Sequence, residues 1–146
     1  MEEASVSIRL NPFKGCAGPE GTPVPWSRHG RILDGRPSFT LDPLFHAGCY
    51  YVQDSSAMYV GHIFRRLMSD PASGVGLRVL DLCAAPGGKT TDIAVSCREL
   101  LGDDFLLVSN EVMKARASVL CDNVAVWGDP RVAVTSVDPA AFACLE

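Results

Sequence analysis

The chain has 146 residues, 47% of them hydrophobic and 21% charged, which is enough to bury a core and too apolar for a disordered tail. Its formal net charge is −4. No run of eighteen apolar residues occurs, and the start Met1-Glu2-Glu3-Ala4-Ser5 is acidic where a secretory signal is basic, so neither a membrane helix nor a secretory leader is expected and the protein is placed in the cytoplasm. The acidity is one-sided: residues 1–66 carry seven Lys/Arg against six Asp/Glu, and residues 67–146 six against eleven. An acidic second part disfavours non-specific nucleic-acid binding there, so contact with nucleic acid is expected on Arg9, Lys14, Arg28, Arg31 and Arg36. Cys16, Cys49, Cys83, Cys97, Cys121 and Cys144 contain no C-x-x-C pair, which argues against zinc and against a disulfide framework. They are read as reduced and mostly buried, with Cys83 and Cys121 as small core residues.

In chain order, Val6-Ser7-Ile8-Arg9-Leu10-Asn11 alternates apolar and polar with period two, as a strand with one solvated face does, and Pro12 ends it. Cys16 to Pro25 is rich in Gly and Pro and reads as irregular. Arg31-Ile32-Leu33 and Ser38-Phe39-Thr40-Leu41 flank Asp34-Gly35, a hairpin signal, so residues 1–50 read as a small β-rich appendage. Asp54-Ser55-Ser56 offers caps for a helix whose Met58, Ile63, Phe64 and Leu67 share one face and cover a sheet. Residues 51–75 are then a helix and linker, with a polar, flexible stretch from Ser69 to Gly76. From residue 76 three strands alternate with two helices: Leu77–Leu82, Thr90–Leu101, Phe105–Glu111, Lys114–Val126 and Arg131–Thr135. That is an α/β pattern with about three parallel strands, fewer than the five or more of an open doubly wound sheet.

The most informative stretch is Asp81-Leu82-Cys83-Ala84-Ala85-Pro86-Gly87-Gly88-Lys89-Thr90. Pro86-Gly87-Gly88 forbids the strand from continuing, and the paired glycines let a ligand approach main-chain N–H groups at the start of the next helix. A phosphate-binding loop would end as Gly88-Lys89-Thr90 does, but its first glycine falls on Cys83, and Ala84-Ala85-Pro86 is short of N–H donors. S-adenosylmethionine suits the loop better, because its amino-acid end needs backbone donors and its ribose and sulfonium favour acids at the carboxyl ends of strands. Glu111, thirty residues after Asp81, can accept both ribose hydroxyls, and Asp138 can accept from the adenine amino group.

These residues resemble the RNA cytosine-5 methyltransferases of the Sun/RsmF type, in particular their bacterial ribosomal RNA branch. The resemblance rests on Ser7 to Pro12, Val24-Pro25-Trp26, Arg36 to Gly48 and Tyr50 to Ser56 in the leading region. In the second part Asp81 to Thr90 looks like the family's first methyltransferase motif, Ser109-Asn110-Glu111 its second and Asp138-Pro139 its third. It implies an incomplete Rossmann-like class I methyltransferase sheet preceded by the β-rich appendage, with residues 76–146 forming part of a cofactor-binding domain. It also implies that Cys83, Ala84, Ala85, Pro86, Gly87, Gly88 and Lys89 line the cofactor loop, that Glu111 holds the ribose and that Asp138 meets the adenine side. The family's chemistry uses a cysteine thiolate that attacks C6 of cytosine so that C5 takes the methyl group, and a second cysteine that assists release. Both lie after the third motif in the family, beyond Glu146 here, so no catalytic nucleophile is assigned and this chain alone is expected to be inactive. Ribosomal RNA is the expected partner and no metal is. Transfer RNA as substrate, a non-catalytic cofactor- or RNA-binding module, and a nucleotide hydrolase are the rival readings. Leu77 to Leu82 would lack a neighbour on one side, and such an apolar edge invites self-association.

Overall fold

In the computed structural model, residues 6–68 and 76–144 are described, and the chain divides into two units, residues 1–69 and 70–146. The predicted linker from Ser69 lies, but for Gly76, outside the described residues.

The leading unit is built on a four-stranded antiparallel sheet of β1 (Val6–Leu10), β2 (Thr22–Pro23), β3 (Gly30–Leu33) and β4 (Tyr50–Val52), in the order β2-β3-β1-β4. β1 is therefore central, and it has no solvated face: Ser7, Ile8 and Arg9 are all buried. Its polar residues bond inside, Ser7 Oγ donating to the Gln53 carbonyl at 2.6 Å and Arg9 Nε to Gln53 Oε1 at 2.9 Å. Arg9, expected on a nucleic-acid surface, is 1% exposed and takes no part in one, whereas Lys14, Arg28 and Arg36 are exposed.

The predicted hairpin about Asp34-Gly35 is absent. β3 pairs with β1 and β2 instead, and Phe39–Leu41 forms a 3-10 turn. Asp42 then caps the short helix α1 (Pro43–His46), accepting from Leu44 N–H at 2.9 Å, with Pro43 at the first helical position. Tyr50 Oη donates to Asp42 Oδ2 at 2.6 Å, which holds the Asp42 carboxyl below its ordinary range.

The core gathers Ile8, Leu33, Cys49 and Tyr50, with Phe39 and Phe45 packed against it. Cys16 and Cys49 are joined in a disulfide, contrary to the all-reduced expectation; a pairing between residues 33 apart leaves no local spacing to read. Helix α2 (Tyr59–Leu67) follows a turn at residues 55–58. Met58 is buried as expected, next to Gly30 of β3, while Ile63 and Leu67 of the predicted apolar face are 46% and 75% exposed.

In the second unit β5 (Leu77–Asp81), β6 (Phe105–Asn110) and β7 (Val132–Thr135) form a parallel sheet in the order β5-β6-β7, joined through α3 (Gly88–Leu101) and α4 (Lys114–Trp127). Two successive crossovers in the same direction, each of the usual right hand, put both helices on one face. Phe105, Leu107 and Ser109 are buried on that face, while the registered residues Leu80, Leu106 and Ala133 stay exposed on the other. β5 pairs with β6 alone among the described residues, as the sequence leads one to expect, and Leu80 and Leu82 are each 41% exposed.

Arg98, near the end of α3, donates to both carboxylate oxygens of Asp129 at 3.2 and 2.6 Å, bonds Asp103, and stands 5.2 Å from the Phe105 ring centroid. Asp129 chiefly, with Asp103, holds its guanidinium above the usual range. This cluster closes the end of the sheet remote from the candidate site.

Candidate functional site

The in-register pairs Asp81↔Ser109 and Asn110↔Thr135 bring the carboxyl ends of all three strands to one edge. Three predicted segments converge there: the loop from Cys83 to Lys89, Glu111, and Asp138. Gly87 has φ +110°, a conformation that L side chains rarely adopt, and it turns the chain directly into α3. Ala84 and Ala85 are buried, Gly88 and Lys89 open the helix, and Cys83 is exposed. Cys83 and Cys121 were both expected in the core; both are exposed, because Cys83 sits past the end of β5 and Cys121 on the outer side of α4. Of the four cysteines outside the disulfide only Cys97 is buried, and desolvation pushes its thiol up to about 12, so it is no nucleophile at neutral pH.

Below the loop, Asp81 Oδ2 accepts from Thr90 Oγ1 at 3.0 Å, tying the strand end to the helix start. Leu120 of α4 is fully buried against Ala84 and Ala85. Glu111 is 3% exposed; its Oε1 accepts from Met113 N–H at 3.0 Å. Its Oε2 lies 3.3 Å from Arg116 Nη1, an ion-pair distance without hydrogen-bond alignment, so this buried oxygen has no hydrogen-bond donor among the described residues. Asp138 is exposed and its Oδ1 accepts from Ala140 N–H at 2.8 Å, starting the 3-10 turn Pro139–Cys144.

Three residues of the site were given no role in the sequence reading, Asn110 standing there only as part of the second motif. Asn110, fully buried, donates to the Leu82 and Val137 carbonyls at 3.4 and 3.0 Å and accepts from Thr135 Oγ1 and Val137 N–H at 2.9 and 3.1 Å, so one side chain links the ends of all three strands. Arg116 Nη2 donates to the Ala85 carbonyl at 2.9 Å and Asn123 Nδ2 to the Pro86 carbonyl at 2.7 Å. A signal was available: Arg116, Leu120 and Asn123 fall at i, i+4 and i+7, one face of α4. A groove lined by Glu20, Gly21, Thr22, Arg31 and Asp34 lies in the leading unit and brings no buried polar group together. No group of three or more metal-ligating side chains occurs among the described residues, nor does any helix long and apolar enough to cross a membrane.

Parallel strands feeding successive helices, with a glycine turn and a buried carboxylate at their carboxyl edge, make this unit a Rossmann-like α/β domain of the methyltransferase kind. Solved structures share the fold: that of PH0851 superposes with a TM-score of 0.74 at 24% identity, covering 94% of this chain and 31% of that one. A methyltransferase homolog protein from Pyrococcus horikoshii gives 0.70 at 23% identity, covering 97% of this chain and 47% of the other.

Residues 1–55 match the N-terminal domain of 16S rRNA methyltransferase RsmF, and residues 68–144 match 16S rRNA methyltransferase RsmB/F. The chain belongs to the RsmB/F family of 16S rRNA methyltransferases. Ribosomal RNA small subunit methyltransferase F of Shewanella piezotolerans is 34% identical over 93% of this chain, and that of Pectobacterium atrosepticum 30% identical over 94%. The chain spans 30% and 28% of the lengths of these two relatives.

Proposed function

We propose that the chain is the S-adenosylmethionine-binding part of an enzyme that methylates C5 of cytidine in ribosomal RNA, acting in the cytoplasm. The observation that carries the reading is Glu111 Oε2, a buried carboxylate oxygen without a hydrogen-bond donor, beside a loop built to expose backbone N–H groups. A buried acceptor left open in this way fits a ligand that brings hydroxyl donors, as a ribose does. S-adenosylmethionine supplies, when bound, the electrophilic methyl group. This chain's residues bind and orient it: Cys83 to Lys89 hold the amino-acid end, Glu111 the ribose, and Asp138 the adenine side. The NSun6 structure from Pyrococcus horikoshii, which shares the fold, contains SFG, an analogue of this cofactor. The matched relatives, ribosomal RNA enzymes by name, favour ribosomal over transfer RNA. No nucleophile is assigned to any of the six cysteines.

Calorimetric titration with S-adenosylhomocysteine and, separately, with Mg-ATP tests this. The expected result is binding of the first alone, weakened at least about a hundredfold by Glu111→Ala, since two charge-assisted hydrogen bonds go with the carboxylate. Binding of Mg-ATP instead would turn the assignment to a nucleotide hydrolase.

The open β5 edge, with Leu80, Leu82 and Leu106 exposed beside it, supports a second part of the proposal: the purified chain self-associates through this side of the sheet. Light scattering over a concentration series is expected to show mass rising with concentration, and Leu80→Lys to suppress the rise. A concentration-independent monomer would remove the idea.

A further inference from the structure

Two parts of the candidate site come from different places in the chain, the loop after β5 and the carboxylate after β6, and one side chain touches both. Arg116 Nη2 donates to the Ala85 carbonyl at 2.9 Å while Nη1 stands 3.3 Å from Glu111 Oε2. A guanidinium is planar and rigid, so a hydrogen bond to the loop and an ion-pair contact to the carboxylate from one head group tie the spacing of the two.

The loop is held by other donors as well, from β6, from α4 and from within itself. Asn110 reaches the Leu82 carbonyl, Asn123 the Pro86 carbonyl, and Gly87 N–H the Ala84 carbonyl at 2.8 Å. Across a trans peptide the N–H points opposite to the C=O. Fixing the carbonyls of Leu82 and Ala84 therefore turns the N–H groups of Cys83 and Ala85 each away from the donor that holds its carbonyl and keeps them for a ligand carboxylate.

We infer that Arg116 is a positioning residue that keeps the N–H face of the loop and the open oxygen of Glu111 in register for one ligand spanning both. The inference rests on the cofactor reading above and goes beyond it by naming what couples the two halves of the site. Charge supports it. Glu111 is almost wholly buried, and the nearby guanidinium offsets the cost of burying a carboxylate while leaving Oε2 without an aligned donor. Arg116 itself is half-exposed, its side chain 53% accessible, so the fold does not depend on it as it depends on a core residue.

The test uses the full chain and two probes, S-adenosylhomocysteine and its 2′-deoxy analogue, titrated into wild type, Arg116→Met and Arg116→Lys, with ligand-free melting measured for each. Wild type is expected to prefer the ribose form. Arg116→Met is expected to bind S-adenosylhomocysteine about tenfold more weakly, to lose most of that preference, and to melt within a few degrees of wild type. Arg116→Lys restores charge without the two-pronged geometry and is expected to fall between them. Unchanged affinity and preference in Arg116→Met would overturn the inference while leaving the cofactor site intact. A lowered melting temperature with the ribose preference retained, in either variant, would reduce Arg116 to a support of the fold and overturn it equally. Failure of the folded wild type to bind S-adenosylhomocysteine would overturn both the inference and the reading beneath it.

Discussion

Removing the Cys16–Cys49 disulfide, by reductant or by the pair Cys16→Ala and Cys49→Ala, is expected to lower the stability of the leading unit by about 4 kcal/mol on chain-entropy grounds. The bridge joins residues 33 apart, enclosing β2, β3 and α1, and its loss frees that whole segment in the unfolded chain. The enclosed strands are short, two and four residues, and much of what orders them runs through β1 and the closure at Cys49. Cys49 is itself buried next to Ile8, Leu33 and Tyr50, so the alanine pair adds a packing loss that reduction does not, and the double variant is expected to melt below the reduced wild type. The two tryptophans make the measurement selective, since Trp26 belongs to the leading unit and Trp127 to the second. Unfolding followed at Trp26 should shift with reductant. A native thiol titration that counts six free cysteines would show the bond does not form and end the prediction.

Leu120→Ala should cost about 3 kcal/mol, as fully buried leucines do, and should weaken S-adenosylhomocysteine binding beyond what that loss of stability implies. Leu120 is 0% exposed and supports the loop: it packs on Ala84 and Ala85, and a Cβ added at Gly87 would come within 3.2 Å of its Cδ1. Those neighbours are the smallest residues there are. On the loop side no side chain can swing into the space left behind, so there relaxation comes from the backbone that carries the proposed ligand donors, while Val124 and Val134, the other neighbours in the cluster, close on the cavity from their side. Leu107→Ala, equally buried but in the middle of β6, is the control, expected to lose similar stability with less effect on the ligand. Denaturant unfolding read at Trp127, with titration of each folded variant, decides it. A cost under about 1 kcal/mol, or equal loss of affinity in the two variants, would sink the argument.

The alternation of strands and helices after residue 76 was legible because both periods are local and glycines mark both ends of α3 and the end of α4. Glu111 was legible for the same reason, as an acid directly after an apolar strand. Polarity misled in the leading unit. Ser7 and Arg9 carry the letters of a solvated face, yet they are buried, and Gln53, more than forty residues away, accepts from both. The Asp34-Gly35 signal failed because β3 finds its partners in β1 and β2, while Asp42 and Pro43 draw the following residues into helix. In α2, Ile63 and Leu67 have the spacing of a buried face but stay 46% and 75% exposed, since periodicity reports which residues share a side and not what lies against it. Within the site, Asn110, Arg116 and Asn123 act on carbonyls 28, 31 and 37 residues distant, separations that only the folded chain brings together.

The position of β6 between β5 and β7 has a consequence for how the site opens. Amides of β6 are paired and covered, whereas alternate amides of the edge strand β5 face away from any partner in the sheet. Among the described strands, exchange with solvent is therefore expected to be slower along the central β6 than along β5 or β7, each of which pairs on one side only. Glu111 rides on the slow strand and the glycine turn on the fast one, so the two ends of the site have unequal lifetimes. A ligand that bridges them, as proposed above, is expected to lend the protection of the centre to the edge, read as slowed amide exchange along β5 when S-adenosylhomocysteine is added.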